Sequence, residues 1–137
     1  MTAIRRSWSF VAVVILVLAA CAGPMGVPSP SVAPGTGLEI AAVAGPTCPV
    51  ETIPPDPACA PRPVAGASIV ILDAQGRTVA TALLDAKGAA VVALPAGRYV
   101  LRAEAAEGLM GMPPPTDVTV VDGALTPVVL SYDTGIR

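Results

Sequence analysis

From residue 38 to residue 132 the chain is divided into short apolar runs by turn residues at a spacing of about ten, and none of the runs carries a 3.6-residue period. A chain patterned this way cannot present a helical apolar stripe. It can bury its apolar residues only as strands that each turn one side to a common core. Seven candidate strands follow, at 38–44, 67–72, 77–84, 89–94, 98–104, 116–121 and 124–132. Within the third, Thr78, Ala80 and Ala82 lie on one face and Val79, Thr81 and Leu83 on the other. The segments DAQG (73–76) and DAKG (85–88) supply turns of the same kind, and Asp122-Gly123 is the tightest hairpin signal in the chain. The expected fold is one all-β, antiparallel sandwich spanning 38–137.

The 37 residues before it have a different character. Arg5 and Arg6 precede an apolar run from Phe10 to Ala20, and small residues then lead to Cys21. At about 11 residues and roughly 1.5 Å per residue, that run is too short to cross a hydrocarbon core of about 30 Å. It has the layout of a secretory leader over 1–20. The tetrapeptide Leu18-Ala19-Ala20-Cys21 resembles the lipobox of bacterial lipoproteins. That resemblance implies that the thiol of Cys21 receives a diacylglyceryl group, so that acyl chains hold the protein to a bilayer. Two alternatives stay open: ordinary cleavage after Ala22, which discards Cys21, and a retained helix. Ala22 rather than Asp after the cysteine leans toward the outer membrane in a cell that has one, and toward the cell membrane otherwise. Residues 22–37, AGPMGVPSPSVAPGTG, have four prolines and four glycines and no hydrophobic period, the composition of a solvated tether.

Removal of the leader changes what the rest must be made from. Trp8 and Phe10 go with it, leaving Tyr99 and Tyr132 as the aromatics of the exported part. The core must therefore be built from Val, Leu, Ile and Ala. Six basic residues then stand against ten acidic ones, a balance unsuited to neutralising phosphates, so nucleic acid is not an expected partner.

A second resemblance is carried by residues 70–105, VILDAQGRTVATALLDAKGAAVVALPAGRYVLRAEA. The segment is similar to the carboxypeptidase regulatory-like domain, a transthyretin-like (prealbumin-like) or Cna-B-like seven-stranded sandwich found on many bacterial surface proteins. LPAGRYVL (94–101) matches that family's L-P-x-G-x-Y-x-L turn and strand, and 85–88 its preceding D-x-x-G turn. In physical terms Pro95 ends a strand, Gly97 turns the chain, and Tyr99 puts its ring into the core with the hydroxyl near an edge. Ala90 stands where the family usually has an aromatic, which implies thinner packing there.

Cys48 and Cys59 flank the loop PVETIPPDPA, and in an oxidising compartment they are expected to form a disulfide. A metal held by both thiolates is the sharper alternative, but there is no His, and two soft ligands fall short of the usual four. Glu51 and Asp56 as cation ligands are weaker still than their reading as solvated loop charges. No metal and no cofactor are expected. With neither His nor Asn in the chain, the common general base and the Ser-His and Cys-His nucleophiles are missing together, so no catalytic residue is assigned. Lys87, the only lysine, lies in an expected hairpin turn without the Asn that a Cna-B-like isopeptide bond would need, and reads as a solvated charge.

One loop offers a partner surface. EGLMGMPPP (107–115) is apolar, flexible and then stiffened by prolines. Either Leu109 and Met112 cap the open end of the sandwich, or Leu109, Met110 and Met112 contact a partner. The functional expectation is a lipid-anchored, non-catalytic structural or binding module of the cell envelope, acting on an envelope protein or glycan. An accessory lipoprotein docked on a membrane complex, or a small-ligand carrier, are the alternatives.

Overall fold

A computed structural model describes residues 31–137. The leader, Cys21 and the spacer up to residue 30 lie outside the described residues. Eight strands are found among those described: β1 (Gly37–Gly45), β2 (Arg62–Pro63), β3 (Ser68–Asp73), β4 (Thr78–Leu83), β5 (Ala89–Ala93), β6 (Gly97–Ala103), β7 (Thr116–Val120) and β8 (Leu125–Asp133). One sheet has the order β4-β3-β6-β7, antiparallel throughout. In the other, β8 occupies the whole of one edge of β1, and β5 and β2 follow each other along the opposite edge.

The alternation in the sequence sets which side of each strand is buried. Leu38, Ile40, Ala42 and Ala44 of β1 point inward, as do Ile69 and Ile71 of β3, Tyr99 and Leu101 of β6, and Val128, Leu130 and Tyr132 of β8. Each fully buried Leu or Ile contributes about 2–3 kcal/mol of transfer free energy, so a core almost without aromatics still closes. Ala90 is half-buried at its margin, beside Val92. The two tyrosines end their buried rings in hydrogen bonds. Tyr99 Oη donates to the Pro95 carbonyl at 2.9 Å and Tyr132 Oη to the Glu104 carbonyl at 2.9 Å. Burial, and then the nearby carboxylates of Asp73 and Glu104, push both phenols above their ordinary range.

The seven-stranded antiparallel expectation needs correction in three places. β1 and β8 run parallel over nine residues, from Gly37↔Leu125 to Gly45↔Asp133, a pairing between the two ends of the domain that local pattern cannot reveal. An additional strand, β2, is only two residues long and sits among prolines, where no alternation can be seen. Finally, two turns expected as hairpins are corners between sheets. Asp122-Gly123 leads from β7 in one sheet to β8 in the other, and the 85–88 turn leads from β4 to β5 likewise. The strand at Gly37 also starts one residue before the expected position. Thr36 ahead of it is buried, and its hydroxyl accepts from Gly123 N at 2.7 Å and donates to Asp122 at 3.3 Å, which locks that corner to the start of β1.

Three turns are held by an aspartate that gathers backbone N–H groups. Asp73 accepts from Gln75 N and Arg77 N, both at 2.9 Å, Asp85 from Lys87 N at 2.8 Å and Ala89 N at 3.0 Å, and Asp133 from Gly135 N at 2.7 Å. Gly88 closes the second of these turns at φ 68°, and a Cβ there would stand 2.8 Å from both the Ala42 carbonyl and Val64 N. Hydrogen bonds to the charged form hold all three carboxyls below the ordinary aspartate value. Their contribution to stability is therefore fully present above the unfolded-chain value of about 3.9, and is lost as pH falls from there toward the lower folded values. An acid titration of the melting temperature should be flat above about pH 5 and fall below it. Asp85→Asn should weaken that fall, and an unchanged acid limb would remove Asp85 from the account.

The open edge of β8 is blunted. Asp133 exchanges both backbone hydrogen bonds with Gly111, at 3.1 and 3.2 Å, so the odd-numbered residues of β8 direct N–H and C=O away from β1. Pro127 is one of them and has no N–H to offer another strand. The segment paired at Gly111 cannot continue along β8 either, because residues 113–115 are all proline.

Candidate functional site

β1 crosses the whole sandwich, about 26 Å at roughly 3.3 Å per residue, and so defines two poles. At the first, which receives the chain from its N-terminal side, lie Thr36, the 73–76 turn, the 94–97 turn and the Asp122-Gly123 corner. At the other, β1 ends at Gly45, β8 ends beside it at Asp133, and the two loops that stand out in the sequence come together.

The first of these loops leaves β1 through Gly45-Pro46 and returns along β2, which pairs Val43↔Pro63 and Ala44↔Arg62. Its neck is closed three times. Cys48 and Cys59 are disulfide-bonded, with Cα atoms 5.3 Å apart. Thr47 Oγ1 donates to the Cys59 carbonyl at 2.5 Å, and Thr134 Oγ1 from the end of β8 donates to the Pro46 carbonyl. A single 3₁₀ turn, Pro57–Cys59, is capped by Asp56, whose Oδ1 accepts from Ala58 N at 2.8 Å. With its ends fixed and four of its residues proline, the loop holds out two apolar side chains, Val50 at 69% exposure and Ile53 at 100%. A groove of about 370 Å³ runs beside it, lined by Glu51, Thr52, Asp56 and the prolines 55, 57 and 61.

The second loop joins β6 to β7 and is pinned to β8. Met110 N donates to the Asp133 carbonyl at 2.9 Å, next to the Gly111 pairing. Leu109 packs half-buried on the core, Pro113 is buried, Met110 is 80% exposed and Met112 57%. The expectation that Leu109 and Met112 cap the sandwich together is thus met by Leu109 with Pro113, whose ring needs no hydrogen-bond partner for nitrogen. Met112 turns out to solvent. Of the three loop residues singled out in the sequence, two are presented outward.

Charge at this pole is acidic: segments 45–67, 84–88, 103–115 and 132–137 carry six carboxylates against three basic residues. Asp133 is engaged by Arg137 at 2.9 Å, which is the first cause of its lowered pKa, and Asp85 by its own turn. Glu51 and Glu107 are exposed beside the apolar tips. Lys87 is exposed in its turn. Among the described residues no three His, Cys, Asp or Glu side chains are grouped as a metal site. Sequence reasoning gave Ile53 no part in a site. The signal available for it was an isoleucine in a cysteine-bounded, proline-rich loop too short and too broken by prolines to bury it in a strand or a helix.

No protein-family model and no curated protein matches the chain. Solved structures do. A minor pilin of the Gram-positive pathogen Streptococcus agalactiae is 20% identical with a TM-score of 0.55, and the Bacillus anthracis TIE protein is 19% identical with a TM-score of 0.53. The likeness is one of fold. Each covers 72% of this chain, which in turn spans 44% of the pilin and 17% of the TIE protein. The two-sheet sandwich is thus shared with domains of larger proteins.

Proposed function

We propose that this chain is an exported, lipid-anchored, non-catalytic binding module of the cell envelope. Residues 1–20 act as its leader, acylated Cys21 and the spacer to residue 37 as its tether, and the sandwich over 38–137 as the part that meets a partner. The observation that carries this reading is the division of labour between the poles: the chain enters at one, and the rigid Cys48–Cys59 loop and the methionine loop stand together at the other. A tether of about 16 residues, extended at up to roughly 3.1 Å each, lifts the domain as much as about 50 Å above the bilayer, with the exposed apolar tips outward. Ile53, Met110 and Met112 are the contact residues, surrounded by Glu51 and Glu107. Loops fixed before binding lose little entropy on contact, which suits an anchor of this kind. The fold shared with a pilin supports a structural or adhesive role, and the partner is an envelope protein or glycan.

Photo-cross-linking in cells tests it. A benzophenone side chain placed at position 53 or 110 is expected to capture one partner, while the same group at Ala74, at the tethered pole, captures it at least about fivefold less. Equal capture from 53 and 74 would contradict the assignment of the outer pole.

A further inference from the structure

The outer faces of the two sheets differ in a way the loops do not explain. On the β8-β1-β5 sheet, Val91, Leu125, Pro127 and Val129 point outward, with Ala41 and Val43 between them. Val91 and Val129 are each 65% exposed. Two carboxylates lie on this face: Asp133 at the far end of β8, engaged by Arg137, and Glu39, which makes no ion pair among the described residues and which the register sets between Val91 and Pro127. Strands that are apolar on both sides belong to sheets covered on both sides. The outer face of the other sheet is its complement. Val70, Leu72 and Val100 form a half-buried apolar centre, and Arg98 and Arg102 of β6 extend on either side of Val100. Neither guanidinium makes an ion pair among the described residues, and Asp117, across from Val100, is the one carboxylate of that centre.

We infer that the apolar face around Glu39 packs against the Arg98–Arg102 face of a second copy, so that copies stack side by side in one direction. The heights agree. Glu39 is two residues from the tethered end of β1 and Arg98 one residue from the same end of β6, so poles in register bring the carboxylate to the guanidinium. A two-fold arrangement of two Glu39 faces would instead bury two like charges. Stacking in register also leaves every tether on one side, and an interface between different patches propagates from copy to copy, as an open row or, where the rotation between copies closes, a ring. Three strands about 4.8 Å apart and four outward residues about 6.7 Å apart give a face of roughly 400 Å². Two such faces bury about 800 Å² in total, below the roughly 1,000 Å² of a stable specific interface, so association is weak in dilute solution and grows where copies are concentrated on a surface. It does not depend on what the outer pole binds.

The test uses the full-length chain in its native membrane, with a benzophenone side chain at position 129. The expected product is a self-cross-link mapped by mass spectrometry to the peptide holding Val100 and Arg102. Glu39→Arg should lower its yield about tenfold, and Glu39→Arg with Arg98→Glu in one chain should restore it. A cross-link from 129 to 129 of another copy, to a different protein, or to nothing would overturn the inference. Capture from position 53 is read separately, so failure here leaves the outer-pole reading standing, and the reverse.

Discussion

A Tyr132→Ala chain is expected to lose about 3–5 kcal/mol of stability, a large share of the roughly 5–15 kcal/mol that holds a domain of this size folded. The ring is 1% exposed and sits where β8 ends against the core, one of only two aromatic rings among the described residues. Val, Ala and Leu neighbours cannot expand to fill the space it leaves. The hydroxyl adds less. Tyr132→Phe keeps the ring and removes the donor to the Glu104 carbonyl, with an expected loss of about 1 kcal/mol. Urea unfolding of the two variants separates packing from hydrogen bonding. A Tyr132→Ala loss no larger than that of Tyr132→Phe would mean that the ring is not part of a close-packed core.

Opening the Cys48–Cys59 bond should have the next largest effect. The bridge closes a loop of about 12 residues, for which chain entropy gives roughly 3 kcal/mol, and Cys48→Ser with Cys59→Ser should lower the melting temperature by about 12–20 °C. Reductant should reproduce the shift in the natural chain and leave the double variant unchanged. Val50, Ile53 and the loop side chains contribute nothing to the core, so the loss falls on the chain's freedom when unfolded and on the fixed aim of the loop. A shift under about 4 °C would mean that β2 and the Thr47 and Thr134 hydrogen bonds hold the loop closed by themselves.

Much of this architecture could be read from the residues, and the parts that could not share a cause. Alternation located seven strands to within a residue or two, because each burial decision is made locally: Leu38, Ile40 and Ala42 are apolar two apart and end up inside. The Asp-x-x-Gly turns were legible because an aspartate and a glycine suffice to make them. Whether such a turn joins neighbours in one sheet or carries the chain to the other depends on what the strands meet later, so 73–76 became a hairpin and 85–88 a corner with nearly the same sequence. The parallel pairing of β1 with β8 joins residues 88 apart in sequence and leaves no local trace. At the outer pole, composition marked the methionine loop and the cysteines separately. Only the ends of β1 and β8 bring them together. The apolar outer face had a signal, since Ala41, Val43 and Val129 occupy positions where alternation calls for polar residues, but the same pattern reads equally well as strand propensity.

The proposed arrangement, an exported domain held by lipid at one pole and free at the other, is tested by the intact mass of the membrane-extracted protein, with and without reduction and alkylation. It predicts a chain that begins at Cys21, carries the added mass of acyl chains, and gains two alkylated thiols only after reduction. A chain that begins at Gly23 without lipid, or one that keeps residues 1–20, would contradict it.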